Sequence, residues 1–427
     1  MKRALRRGVC GPLLAALLLA SLAPAQGGNR APGGEVEVLH FWTSGSEAGA
    51  LAELQSTLHR KGHLWKNFTV ANGGGGLAMV MLASRVNSGN PPTAAQIKGA
   101  AIQEWAHTGA LSSIDDVANT DKWNALLPRN VSDTMKYNGR YVAAPLNVHR
   151  VNWLWIDAAA LRKANAKPPA TWDEFFAVAE AMKKAGIIPV AYSSQSWLDM
   201  GTFESVAIAV GGVDFYRRAF IQLDPAALNS PQMIQALTTY RRIKQYSSNA
   251  SSGQDWVAST SMLTHGRAGM LLMGDWAKAE MQAAGRRPGS DILCIAMPGT
   301  AHAFTFDVDA LAMFQVSDRN KQAQRDLAHA VMDKDFQQAF NLAKGSIPVR
   351  QDVSLDKFDE CARRASADFK ASARRGTLLP SLAHGMAQPA HTVARMWDVI
   401  NRFWSNDRMG AGEAAAQLAR AAGQAGR

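Results

Sequence analysis

The chain's first regular pattern is the alternation Val36-Glu37-Val38, which runs on into the apolar residues Leu39 to Trp42 and predicts a buried strand. Thr43 to Ser46 have the small polar composition of a turn. From Glu47 onward Ala48, Leu51, Leu54 and Leu58 fall at helical spacing, so a helix packed back on the strand is expected. The alternation repeats. Trp65 to Ala71 read as a second strand, Asn72 with Gly73 to Gly76 as a turn, Leu77 to Val86 as a helix, and Ala94 to Lys98 as a strand after the break Ser88-Gly89-Asn90-Pro91-Pro92. Strands alternating with helices predict an α/β fold, whose ligand sites lie at the carboxyl ends of the strands. Lys98 stands at one such end, and the turn after Trp42 at another.

Farther along, Tyr141 to Trp155 form an extended apolar run long enough to leave one lobe and enter a second. Thr171-Trp172-Asp173-Glu174 has the pattern of a capped helix start, with the helix expected to run to Lys184 and stop before Gly186. Ile187 to Tyr192 then read as a strand, and the polar run Ser193 to Trp197 marks Gln195 and Trp197 as secondary site candidates. Helices are expected at Phe203–Ala209, Val213–Ile221, Pro231–Tyr246 and Ser259–His265. Ala268 to Met273 form an apolar strand that Gly274-Asp275-Trp276 turns into a helix, Ala277–Ala284. Asp291 to Pro298 are a strand, Gly299 to Ala303 a loop, and Phe304 to Leu311 a second crossing that returns to the first lobe. One helix, Asn320–Lys344, completes that lobe. The Ala-rich stretch from Lys357 to Arg427 is helical apart from the loop Thr377–Met386, which holds His384.

A length of 427 residues favours two lobes over one core. The first 25 residues have the form of a signal peptide. Lys2, Arg3, Arg6 and Arg7 precede the short apolar run Pro12 to Leu22, and Ala23-Pro24-Ala25 offers the small residues of a cleavage site. Cys10 precedes that run, which is the wrong place for a lipid-bearing first residue, so a soluble exported protein beginning near Gln26 is expected, with residues 26 to 34 as a mobile lead-in. Removing the four basic residues takes the net charge from +11 to +7, and the remaining cations are scattered in pairs such as Arg241-Arg242. Nothing here has the sustained basic stripe of a nucleic-acid binder. Cys294 and Cys361 remain, and the exported setting makes a disulfide between them the expectation.

The residues with chemistry are few. The glycine run Gly73 to Gly76 lacks the Lys-Ser/Thr of a phosphate-binding loop and reads as a plain turn. Trp42 and Glu47 offer an indole and a carboxylate, or a core Trp beside a helix-capping Glu. Asp307 and Asp309 alternate with Phe306 and Val308 and so share one face of a strand. Two such acids can be a metal or glycosidase pair, but no third ligand with recognisable spacing accompanies them, and no metal or cofactor is expected.

Several blocks carry a family resemblance. They are Val86-Asn87-Ser88-Gly89-Asn90-Pro91-Pro92-Thr93-Ala94-Ala95-Gln96-Ile97, Glu104-Trp105-Ala106 with Gly109-Ala110-Leu111, Tyr137 to Leu146, Pro169 to Phe175, and Phe340 to Arg350. In order and spacing they resemble the extracellular solute-binding proteins of sugar ATP-binding-cassette importers, and within that family the periplasmic glucose and mannose binders. Those binders tend to carry two adjacent tryptophans where this chain has Phe41-Trp42. The resemblance implies a two-lobed, type II-like periplasmic-binding-protein fold with the ligand cleft between the lobes. Residues 35–145 and 305–356 would form the N-terminal lobe, and 146–304 and 357–427 the C-terminal lobe. It also implies a periplasmic, monomeric, non-catalytic protein that passes glucose or mannose to permease subunits. Trp42 and Trp276 would stack on the sugar, Glu47 and Asp307 accept from its hydroxyls, Lys98 and Lys344 donate, and His384 do either. Two other function classes stay open on the residues themselves: an exported glycoside hydrolase, and a protein that docks a partner through an apolar patch supplied by its 12 tryptophans.

Overall fold

The structure, a computed structural model, describes residues 33–70, 76–193, 195–248 and 255–423. The expected signal peptide, most of the lead-in and nearly all of the glycine turn lie outside the described residues. Two mixed sheets form the centres of two lobes. In the first the strand order is Leu64–Thr69, Glu35–His40, Ala94–Ile97, Ala310–Met313, Ala143–Pro145, with the first three parallel and Ala310–Met313 antiparallel to both neighbours. Val36 and Val38 are fully buried, as their alternation predicts. The helix Gly45–Arg60 packs back with Ala50, Leu51, Leu54 and Leu58. Ala48, assigned to that face from the spacing, is exposed, because the helix starts at Gly45 with Ser44 as its N-cap and the buried stripe runs through Ala50 instead.

The second sheet has the order Ile292–Ala296, Trp153–Asp157, Ala268–Leu272, Ile188–Ala191. Trp153 to Asp157 are all buried, paired on both sides, which accounts for the consecutive apolar residues Trp153 to Ile156. A third sheet joins the two. His149–Arg150 lies antiparallel to Phe304–Asp307, which pairs in parallel with Leu378–Pro380. Two of these strands are the crossings expected from the sequence. Leu378–Pro380, read from the sequence as loop, is a third strand alongside them.

Two helix assignments change. Asn320–Lys344 is two helices, Asp318–Val331 and Lys334–Lys344, because Asp333 accepts from the Phe336 N–H and starts the second. Phe203–Ala209 and Val213–Ile221 are parts of one buried helix, Ser196–Tyr216, interrupted at Gly212 and continued by a wider turn, Arg217–Ile221. The helix Trp172–Lys184 begins at Thr171 with the expected capping box. Arg241 is half-buried, its guanidinium stacked on Phe403, and so ties the helix Pro231–Ile243 to Ala390–Ser405. Cys294 and Cys361 form a disulfide, fastening the edge strand of the second sheet to the helix Glu360–Arg375.

Candidate functional site

The strand Ala94–Ile97 ends at Lys98, and the return crossing brings two carboxylates to that end. Lys98 Nζ donates to Asp307 Oδ2 at 2.5 Å and to Asp309 Oδ1 at 3.0 Å. The two acids are equally buried but differently served. Asp309 also accepts from Gln96 Nε2 and Asn147 Nδ2, each at 3.0 Å, and lies 3.2 Å from His149 Nε2. Burial opposes its ionisation, yet Lys98 and His149 outweigh burial and hold its carboxyl well below the usual range. Asp307 has Lys98 alone, and its Oδ1 is buried with no hydrogen-bond partner among the described residues. Burial, reinforced by neighbouring Asp309, raises its pKa in spite of Lys98. Asp309 is thus committed to the protein, and Asp307 keeps an oxygen in hand.

His149 sits between this pair and the second lobe. Its Nδ1 contacts Asp275 Oδ1 and its Nε2 faces Asp309. Burial disfavours the imidazolium, but the two aspartates prevail and raise its pKa. Asp275 also accepts from the Arg150 N–H at 2.9 Å, which fixes the turn that carries Trp276.

The first strand's turn contributes Glu47, which serves two ends. Its Oε2 accepts from the N–H groups of Thr43 and Ser44, closing a capping box with Ser44, while its Oε1 lies 2.8 Å from Lys344 Nζ. Against burial, Lys344 and those backbone donors keep its pKa low. Both sequence readings of Glu47 therefore apply: it caps the helix and it faces the cleft. Lys344 ends the helix Lys334–Lys344, and the next residue, Gly345, has φ +81° and lies so close to the Asp275 turn that a Cβ there would meet Asp275 O at 2.9 Å. Gly99, after Lys98, is equally constrained: φ is +44°, and a Cβ would reach Met386 Cα at 2.5 Å, so the His384 loop packs directly on this turn.

The walls are aromatic. Trp276 lies edge-to-face with His149 at 5.5 Å and with Trp197 at 5.6 Å, and 5.1 Å from the His384 ring. Trp42 packs on Phe340, with Lys344 Nζ 6.0 Å from its ring centre. The Nε1 atoms of Trp276 and Trp397 and Nε2 of His384 are buried without partners among the described residues. Burial, with Lys98 and His149 nearby, holds the His384 pKa well below that of free histidine, so its ring is neutral.

These groups line one cavity of about 880 Å³, within the ~300–1,000 Å³ range of small-molecule sites. Trp42, Glu47, Lys98, Trp276, Asp307, Lys344 and His384 all line it, together with the secondary candidates Gln195 and Trp197. The sequence reading missed His149, Trp256 and Trp397. His149 is one of four polar residues, with Asn147, Arg150 and Asn152, that interrupt the apolar crossing, and that interruption was the available signal.

The model of the family described as bacterial extracellular solute-binding protein matches residues 70–370. A probable sugar-binding periplasmic protein of Brucella melitensis biotype 1 is 45% identical over 91% of each chain. Among solved structures, the chitin oligosaccharide binding protein superposes with a TM-score of 0.78 at 16% identity, covering 92% of this chain and 98% of that one. The bacterial solute receptor AcbH, described as having an exclusive preference for β-D-galactopyranose, superposes at 0.76 and 16% identity, covering 91% and 97%. The two-lobed architecture, the cleft and the match over residues 70–370 agree: this chain belongs to the bacterial extracellular solute-binding protein family.

Proposed function

We propose that this chain is the periplasmic sugar-capturing component of an ATP-binding-cassette importer, holding one hexose, glucose or mannose, in its cleft and presenting it to membrane permease subunits. The observation that carries the reading is a set of buried polar atoms that have no partners among the described residues and belong to residues lining an aromatic-walled cavity: Asp307 Oδ1, His384 Nε2, Trp276 Nε1 and Trp397 Nε1. A pyranose has an apolar C–H face for an indole and hydroxyls that satisfy such atoms. Trp42 and Trp276 supply faces, Asp307 accepts, and Lys98 and Lys344 balance the buried carboxylates while offering remaining N–H donors; Glu47 holds Lys344 in place.

In this reading the protein works as a monomer, its export signal is removed near Ala25, and its lobes comprise 35–145 with 305–356 and 146–304 with 357–427. The name of the Brucella relative supports the ligand class and compartment. Catalysis is disfavoured by geometry, since Asp307 and Asp309 converge on one ammonium and do not flank a space where a glycosidic bond would lie.

One observation favours a second reading. A cavity of about 880 Å³ is roomy for a single ring, and Trp197, Trp256 and Trp397 extend its apolar wall, which suits a disaccharide. Mass spectrometry of the small molecule released on denaturing the purified protein separates the two. A hexose supports the first reading, a disaccharide the second, and sustained release of product from aryl glycosides would overturn both.

A further inference from the structure

His384 lines the cavity with its Nε2 buried and unpartnered among the described residues, and whether that atom accepts or donates a hydrogen bond is decided some distance away, at Glu204 in the middle of the buried helix Ser196–Tyr216. Glu204 is wholly buried, and its two oxygens are used differently. Oε2 accepts from the main-chain N–H groups of Leu382 at 2.8 Å and Ala383 at 3.4 Å, and from the Tyr216 hydroxyl at 2.9 Å. Main-chain N–H groups can only donate, so Oε2 is an acceptor whatever the charge of the carboxyl. Among the described residues Oε1 has a single partner, the Ser381 hydroxyl at 2.6 Å.

Ser381 has one proton and two lone pairs. With Glu204 ionised the proton goes to Oε1, and the lone pairs face the His384 N–H at 3.3 Å and His384 Nδ1 at 2.9 Å. Nδ1 must then carry a hydrogen. The ring is neutral, so Nε2 is bare. We infer that Glu204 in its ionised form, acting through Ser381, is a positioning residue that fixes the tautomer of His384 and makes Nε2 a hydrogen-bond acceptor toward the ligand. The inference rests on the cavity's being the ligand site. With Asp307 Oδ1 also an acceptor, the ligand must present hydroxyl hydrogens at two places, and the indole N–H groups of Trp276 and Trp397 require acceptors elsewhere on it.

Glu204→Gln makes the relay testable. Leu382 and Ala383 require the amide oxygen at the Oε2 position, which turns the amide nitrogen toward Ser381. The Ser381 oxygen then accepts from the amide, its proton turns to Nδ1, and Nε2 gains the hydrogen. Long-range 1H–15N correlation spectra of the labelled ligand-free protein, with the resonance assigned by its loss in His384→Gln, read the tautomer directly. The spectra are taken at alkaline pH because burial pushes the Glu204 carboxyl up to about 7. The expected result is a hydrogen on Nδ1 in wild type and on Nε2 in Glu204→Gln. A wild-type ring protonated on Nε2, or the same tautomer in both proteins, overturns the inference. Should Glu204→Gln fail to fold, Ser381→Ala is expected to show both tautomers, and an unaltered Nδ1–H form there also overturns it. Because these spectra need no ligand, a failure to bind any sugar counts against the cavity and leaves the relay to be judged separately. With D-glucose as probe at the same alkaline pH, Glu204→Gln is expected to bind at least tenfold more weakly, and unchanged affinity alongside a switched tautomer would refute the role toward ligand.

Discussion

Lys98 and Asp307 stand 209 positions apart in the chain and meet with Nζ 2.5 Å from Oδ2, which leaves Asp307 Oδ1 buried and unpartnered among the described residues. The contact joins the end of a first-lobe strand to the return crossing, and in the proposed function the oxygen it leaves over accepts from the ligand. Removing either member strands the other in a desolvated site. Lys98→Ala and Asp307→Ala are each expected to weaken hexose binding by roughly 2–4 kcal/mol, about thirty- to a thousandfold. Fluorescence titration of the folded variants checks this, and near wild-type affinity in both would remove the proposed pocket.

The aromatic residues give a second expectation. Trp276 is held by His149, Trp197 and His384, so Trp276→Phe should keep the wall while removing the Nε1–H donor, and Trp276→Ala should remove both. Binding is expected to fall modestly in the first and by roughly 1–3 kcal/mol more in the second. Equal affinities for Phe and Ala variants would show that no ring face at position 276 is used.

The disulfide between Cys294 and Cys361 closes a loop of 67 residues. In the chain-entropy account such a crosslink stabilises by about 4 kcal/mol. A Cys294→Ala/Cys361→Ala variant is expected to lose stability of that order in urea unfolding and to leave hexose affinity nearly unchanged, since neither residue lines the cavity. Unaltered stability would mean that the bond constrains little.

Glu204 and Asp199 set a pH dependence. Burial raises each carboxyl to about 7, Glu204 from 4.5 and Asp199 from 3.8. A folded-state pKa above the unfolded value means that the folded protein holds the proton more tightly. The stabilisation is complete below the unfolded pKa and is lost as pH rises through about 7, at up to about 1.4 kcal/mol per pH unit for each group. Glu204→Gln and Asp199→Asn are therefore expected to gain stability relative to wild type between pH 5 and 8. Stability differences that stay flat across this window would contradict the assignment.

Much of the site was legible because its residues follow strands. Trp42, Lys98 and Trp276 each lie just past a strand's carboxyl end, where pattern and turn residues reveal them. The division of labour between Asp307 and Asp309 was not legible. Both share a face, and only the convergence of Gln96, Asn147 and His149 on Asp309 separates them. The third crossing strand, Leu378–Pro380, is too short for alternation to register. The break at Asp333 was readable as a helix cap, but the apolar pattern on either side masked it. The tautomer of His384 depends on Glu204, which precedes it by 180 positions and is recognisable only once Ser381 is seen between them.

The central claim, capture of a single hexose by this cleft, is tested most directly by isothermal titration of the mature protein with D-glucose, D-mannose, D-galactose and maltose under one set of conditions. The account predicts one-site saturation by glucose, comparable or somewhat weaker binding of mannose, and far weaker binding of maltose. Preference for maltose, or no saturable heat with any hexose, would contradict it.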